Sequence, residues 1–459
     1  MKQQCSCGDL LLRLRNKTIK KKMTKIKIIA PIVLAASLWS TSSLAQNSQI
    51  KSLRNEFNDI KTSYEKRISE LESKSDKNNG KINDAKSARN VYGNKFNPSI
   101  GIILNGKYSN FSQNNSEIAG FAIGEEGERG KEGFSIGESE LNFSSNIDDK
   151  FFGSLTAAIV NEDGSDIIEL EEAFIRTSPN LGLPTGLEIK AGRAFWNVGY
   201  LNANHAHSDD FADRPLTYRA FLNSSFNDDG VQASYVLPTD FYSEIGGGTF
   251  RGDDYPFGGG DGNGSYSAYA KVGGDIGDRQ SWILGATILS GEAKAGRVTS
   301  EDAVTFIGNT DLYVADLRYV FAPTGNAKNQ ELTLQGEYFH RDENGTYEDS
   351  DAGTGAVSFD DANSGWYLQS VYKFKPSWRV GIRYSELAAA KTPSGLVGSA
   401  LDSEGHDPKS YTAMIDWTNS EFSRIRLQYN REELSKNNQD NQIMLQYIMS
   451  FGAHSAHKF

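Results

Sequence analysis

From Ser99 to Phe459 apolar and polar residues alternate with a period of two, in about sixteen short runs. Such alternation marks strands whose two faces meet different surroundings. The early apolar rows are Ile100, Ile102, Leu104 and Tyr108; Leu141, Phe143 and Ile147; Phe151, Leu155, Ala157 and Ile159; Ala173 and Ile175; and Leu187, Ile189 and Ala191. In the middle of the chain come Val231 to Leu237; Phe241 and Ile245; Tyr266 to Val272; Trp282 to Ile288; and Tyr313 to Phe321. The late rows start at Leu332, Trp366, Trp378, Tyr411, Ile425 and Ile443. Each run is about nine to eleven residues, the length a tilted strand needs to cross a bilayer. Aromatic residues gather at the row ends, where an interfacial girdle sits. A sheet can stand in lipid only when it closes and leaves no edge. The pattern therefore predicts an all-β chain: a 16-stranded antiparallel transmembrane β-barrel over residues 99–459.

The links between runs sort by parity. Asp148-Asp149-Lys150, Pro238-Thr239-Asp240, Lys375-Pro376-Ser377 and Thr418 to Glu421 are tight turns. Gln113–Gly133, Asn197–Asp228, Asp342–Asn363 and Ala388–Lys409 are long. Outer-membrane barrels have short periplasmic turns and longer external loops, so both termini are expected in the periplasm. One run, Ile167 to Thr177, holds Glu169, Glu171 and Glu172, so either face suits the lumen. Ala173 and Ile175 suit lipid better, which turns Glu172, Phe174 and Arg176 inward.

The chain before the barrel reads differently. Ile28 to Trp39 is apolar, follows Lys20, Lys21, Lys22, Lys25 and Lys27, and precedes Ser43-Leu44-Ala45. This is the pattern of a signal peptide over residues 1–45, and it is too short for a transmembrane anchor. The long basic stretch before it makes Met23 an alternative start. Over residues 46–73, Ile50, Leu53, Phe57, Ile60 and Tyr64 recur at spacings of three and four, the seam of a short coiled-coil helix. The same stripe also suits an amphipathic helix lying on its own barrel. Residues 74–98 form a polar linker.

Composition narrows the function. The chain has 45 glycines, 24 phenylalanines and 20 tyrosines but 11 prolines, which suits strands. Both cysteines, Cys5 and Cys7, fall within the leader, so the barrel has no disulfide or thiolate chemistry. Removing residues 1–45 takes nine basic and one acidic residue from totals of 48 and 59, leaving a net charge of −19. Nucleic acid is excluded as a natural partner. No nucleophile and base stand at a meaningful spacing, so catalysis is not expected.

Two stretches, Asn223 to Asp240 (NSSFNDDGVQASYVLPTD) and the end, LQYIMSFGAHSAHKF, together with the strand rhythm, resemble Gram-negative outer-membrane porins. Within that group they resemble the poorly characterised proteins often labelled zinc-regulated TonB-dependent outer-membrane receptors. The terminal aromatic, Phe459, is similar to the signal that the barrel assembly machinery reads in porins. The resemblance implies a passive diffusion channel for small hydrophilic solutes or ions, forming a homotrimer among outer-membrane lipid and lipopolysaccharide. The receptor label implies instead a transporter for a metal or metal complex, which needs a plug that a short helix and linker do not supply. A barrel enzyme is a third class. By position, the porin resemblance makes Asn197–Asp228 the third external loop, folded inward as the pore constriction.

That loop carries His205, His207, Asp209, Asp210, Asp213, Arg214 and Arg219. The inner rows of late strands carry Arg379 and Arg383, then Arg424 and Arg426, each pair on one face, with Lys190 on an earlier strand. An arginine at the bilayer midplane facing lipid costs about 2–4 kcal/mol, so these must point inward. Two readings stay open. A basic wall across from an acidic loop makes a transverse field through the pore, or the arginines pair with lumenal carboxylates such as Glu172 and Glu337 and stiffen the wall. His205-Ala206-His207 with Asp209 is a weak metal motif, and His454 and His457 are a weaker one. No cofactor is implied. Glu125-Glu126, Asp342-Glu343 and Glu348 to Asp351 read as acidic loops that attract cations, including those shared with lipopolysaccharide phosphates.

Overall fold

The computed structural model describes residues 98–162, 165–259 and 264–452. The leader, the coiled-coil segment, most of the linker, His454, His457 and Phe459 lie outside the described residues. The strands are β1 (Ser99–Phe111), β2 (Gly133–Ile136), β3 (Ser139–Asn146), β4 (Phe151–Glu162), β5 (Ser165–Thr177), β6 (Leu187–Phe195), β7 (Asn227–Val236), β8 (Tyr242–Phe250) and β9 (Ser265–Ile276). They continue as β10 (Gln280–Thr299), β11 (Val304–Phe321), β12 (Glu331–Asp349), β13 (Val357–Lys375), β14 (Trp378–Ala388), β15 (Lys409–Ser420), β16 (Ser423–Ser435) and β17 (Asn438–Gly452). From β3 on, each pairs antiparallel with the next, and β1 pairs with β17 to close the barrel. Because β2 and β3 both pair with β1, end to end, they are two halves of one stave. The barrel has sixteen staves.

The apolar rows face outward. Leu104, Leu155, Ile245, Leu284, Leu317, Leu368, Ile382, Leu427 and Leu445 are all exposed on the outer wall. Aromatic pairs fringe both ends of that band. Trp378 and Trp417 stack at 6.3 Å beside the tight turns, and Trp366, Tyr384 and Tyr411 follow one another at 5.2 and 5.0 Å farther up. An apolar belt with aromatic rims is what lipid contact selects.

Four staves run well past this belt. β10 to β13 are 18 to 20 residues long. At 20 residues and a tilt near 45°, such a strand rises about 45 Å, against about 30 Å of hydrocarbon. The outer row of β12 shows the crossing point: Leu332, Leu334 and Tyr338 give way to His340, Asp342, Asn344, Thr346 and Glu348. Here the expected long loop Asp342–Asn363 is mostly strand, with a link of only 350–356. Asp342-Glu343 and Glu348-Asp349 are likewise strand residues, and Glu343 points inward to pair with Arg297 at 2.7 Å.

Among the irregularities that interrupt the staves, two bulges bear on the lumen beside the β6–β7 loop. Between β2 and β3, four steps along the chain (Ile136 to Glu140) match three on β1 (Gly106 to Ile103). In β5, Glu172 pairs with Thr156 and Leu170 with Ala157, leaving Glu171 as the extra residue. The second bulge explains the ambiguous run: Ile168 and Leu170 face outward above it, Ile175 below it, and carboxylates crowd the inner side. A bulge re-aims side chains in this way.

Candidate functional site

The link between β6 and β7, residues 196–226, folds into the barrel. It carries short 3₁₀ turns at Leu201–Ala203 and Ala206–Ser208 and one helix, α1 (Leu216–Leu222). Every residue of α1 is buried, which a helix on an open external loop would not be. Pro215 opens it, as suits a position where a backbone N–H has no partner, and Asn223 ends it in the left-handed conformation. Its aromatic side chains build a core inside the barrel. Phe221 stacks on Phe339 at 5.7 Å, Tyr218 meets Phe339 edge-on at 5.2 Å, and Trp196, Phe226, Phe250 and Phe257 continue the cluster.

Polar contacts fix the loop to the wall at three places. On the first, Arg379 bridges Asp416 of β15 and Asp210 of the loop, both at 2.6 Å. Arg383 donates to the Asp213 carboxylate at 2.7 Å and to its carbonyl at 2.8 Å. Gln428 and Asn430 complete that carboxylate's partners at 2.6 and 2.7 Å. Arg424 and Arg426 donate to the Asp209 carbonyl, while the Asp209 carboxylate takes Arg214 at 2.7 Å. Burial raises the affinity of Asp210 and Asp213 for a proton, but Arg379 with Arg318, and Arg383 with Gln428, outweigh it and hold both carboxyls below the ordinary value.

The second place is Glu337. Its carboxylate accepts from the backbone N–H groups of Tyr200 and Leu201 and from the hydroxyls of Tyr218 and Tyr367. Arg219 adds a nearby tie, donating to Glu432 at 2.9 Å and to the Gly127 carbonyl at 2.7 Å.

The third is on the opposite side. His207 Nδ1 lies 2.6 Å from Glu140 Oε1 on β3, and His205 Nδ1 lies 3.3 Å from the same oxygen. The other face of the His205 ring meets Glu172 at 3.1 Å, and Glu171 stands 3.3 Å from its Nδ1. Burial lowers the proton affinity of His205, and these carboxylates more than reverse that, holding it well above its ordinary value.

The loop meets the wall that carries Arg379 and Arg383, and the charges pair differently from the sequence expectation. The arginines do not face the acidic segment across a gap; they touch it, so their fields cancel at contact distance. Glu172 and Glu337, the carboxylates expected to neutralise the arginines, serve His205 and two tyrosines instead. Asp209 does not join the histidines, because Arg214 takes its carboxylate. Lys190 points inward as expected but joins no arginine: its ammonium lies over Phe174 at 4.9 Å and Trp196 at 5.5 Å. Glu140, Asp416 and Glu432 escaped notice, although each is the polar member of a row whose apolar neighbours had already been turned to lipid.

Another set of acids stands at the loop's border. Burial within the cluster pushes the Glu126 carboxyl up to about 8, and Glu138, Glu169, Asp254 and Glu171 are near enough to add repulsion. No basic group counts among the principal influences on it.

No family model matches the chain. An uncharacterized protein of Aquifex aeolicus is 27% identical over 393 residues, spanning 79% of this chain and 80% of its own length. Among solved structures, Salmonella typhi OmpF in complex with daunomycin superposes with a TM-score of 0.50 at 12% identity, over 78% of this chain and 99% of its own. The outer membrane channel DcaP of Acinetobacter baumannii gives 0.49 at 12% over 77% and 97%, and an anion-selective porin from Comamonas acidovorans gives 0.48 at 11% over 77% and 99%. At 12% identity the likeness to OmpF is one of fold alone.

Proposed function

We propose that this chain is an outer-membrane porin, a passive channel for small hydrophilic solutes or ions, with Asn197–Asp228 as its constriction. The observation that carries the reading is the β6–β7 loop, drawn inside a membrane-spanning barrel and held to the wall on two sides. A loop fixed by buried ion pairs sets a pore's cross-section, whereas an external loop would leave a sixteen-stave lumen wide. The arginines are spent on holding the loop, while Glu126, Glu138, Glu169, Glu171 and Asp254 gather at its border; with the Glu126 carboxyl pushed up to about 8, their negative charge is fullest above that pH. That balance favours cations. The expected placement of both termini in the periplasm agrees with the tight turns sharing an end with Ser99 and Gly452. A homotrimer among lipid and lipopolysaccharide, with assembly signalled by Phe459, belongs to the same reading.

Liposome swelling tests it. Vesicles carrying the full chain should admit small sugars at rates that fall steeply with solute size. Swelling no faster than in protein-free vesicles, for every solute, would overturn the channel reading.

A further inference from the structure

The histidine contact differs from the loop's other two attachments. Each of those pairs buried cations with anions, or a carboxylate with neutral donors. Here the acids outnumber the bases: Glu140, Glu171, Glu172 and Glu138 converge on two imidazoles. The ligand atoms of Glu140, His205 and His207 all lie within 4.8 Å of one another and all three residues are buried. Glu140 belongs to a second such group with Glu138 and Glu171. We propose that Glu140, His205 and His207, with Glu171 as fourth ligand, bind a divalent transition cation such as Zn²⁺ that pins the loop to the β3–β5 wall.

Several independent features carry this. First, the backbone is shaped around the cluster. Two of the barrel's bulges flank it, one just before Glu140 and one at Glu171, and each turns an additional carboxylate toward the same spot. Between them on β4 stands Ala158, whose methyl group leaves room for the imidazoles. Second, the His205 ring is oriented as a ligand. Its Nε2 meets Glu172 at 3.1 Å, so Nδ1 faces Glu140 and Glu171. A carboxylate behind a ligating histidine fixes the tautomer and raises the ring's basicity. Third, the distances suit the ion. Metal bonds of about 2.0–2.2 Å in a tetrahedron set ligand atoms about 3.3 Å apart. His205 Nδ1 stands at 3.3 Å from both Glu140 and Glu171, and His207 needs to withdraw from Glu140 by well under 1 Å. Fourth, mixed imidazole and carboxylate ligands suit zinc and its neighbours better than calcium or magnesium. The ion would add two positive charges where carboxylates are in excess.

The test is titration calorimetry of the purified full chain in detergent with Zn²⁺ alone, followed by X-ray absorption of the loaded protein. One saturable equivalent per chain with two imidazole nitrogens in the coordination shell is the expected result. His207→Ala and Glu140→Gln should abolish that equivalent. Glu172→Gln leaves every ligand in place and should weaken it about 10- to 100-fold, the usual effect of losing such an outer partner. It serves as the informative variant should either of the others fail to fold. His454→Ala with His457→Ala should leave the equivalent intact. No saturable binding, binding unchanged by Glu172→Gln, or binding lost only with the two terminal histidines would overturn the proposal. None of these results depends on whether the barrel conducts.

Discussion

Replacing Asp213 by alanine should release the loop from the arginine side without unfolding the barrel. The Asp213 carboxylate accepts from Arg383 at 2.7 Å, Gln428 at 2.6 Å and Asn430 at 2.7 Å. Arg383 is 5% exposed, so its charge cannot turn to water when the partner is removed. Breaking a buried ion pair by deleting one member costs about 3–5 kcal/mol. Arg383 keeps the Asp213 carbonyl at 2.8 Å and the Phe211 ring at 4.7 Å, which places the loss at the lower end. About 3 kcal/mol corresponds to roughly a 150-fold rise in the equilibrium for local loop detachment. Hydrogen exchange of the intact barrel, followed by mass spectrometry, reads that equilibrium peptide by peptide. Amides of residues 205–215 should exchange about two orders of magnitude faster, while those of β10 to β13 keep their native rates. Unchanged exchange over 205–215, or equal acceleration throughout the barrel, would refute the claim that this carboxylate holds the loop.

Because Asp210 and Asp213 have proton affinities below the ordinary aspartate value in the folded loop, their contribution is present above the unfolded pKa of about 3.9 and is lost as pH falls below it. Loop exchange, corrected for intrinsic rates, should rise as pH falls below about 4, and no rise there would contradict this. At pH 9, above the raised value of about 8 for the Glu126 carboxyl, Glu126→Gln combined with Asp254→Asn should shift the zero-current potential in a salt gradient toward lower cation preference, and no shift would remove these acids from the conduction path. Leu427→Arg, on the outward row, should cost about 2–4 kcal/mol if it lies near the bilayer midplane. Urea titration of the barrel in lipid vesicles measures it, and a cost near zero would mean that this face does not meet lipid.

Much of the barrel was legible because lipid imposes a rule with a period of two. Each of the sixteen rows, from Ile100 to Phe451, needed only apolar residues two apart, and the tight turns fixed their order. The upper parts of β10 to β13 stayed hidden for the same reason. Beyond Tyr338 the outer face of β12 turns polar while the inner face mixes Arg341 and Glu343 with the buried Phe339 and Tyr347, so alternation carries no contrast and Asp342 to Asp349 read as a loop. Bulges were illegible too, since one extra residue at Glu171 looks like a flaw in the pattern when it is what turns two neighbouring acids inward. Individual pairings depend on how the loop crosses the lumen, which no spacing along the chain encodes. Asp209 stands two residues from His207 in sequence, yet Arg214 takes its carboxylate. Glu140, 67 residues from His207, meets it at 2.6 Å.

Planar-bilayer recording of the full chain tests the central claim most directly. A barrel whose lumen is narrowed by Asn197–Asp228, with a cluster of acids at the loop's border, should give stable open steps in symmetric salt. In a salt gradient its reversal potential should have the sign of cation selectivity. A barrel that inserts and never conducts, or one that conducts with clear anion selectivity, would contradict the account.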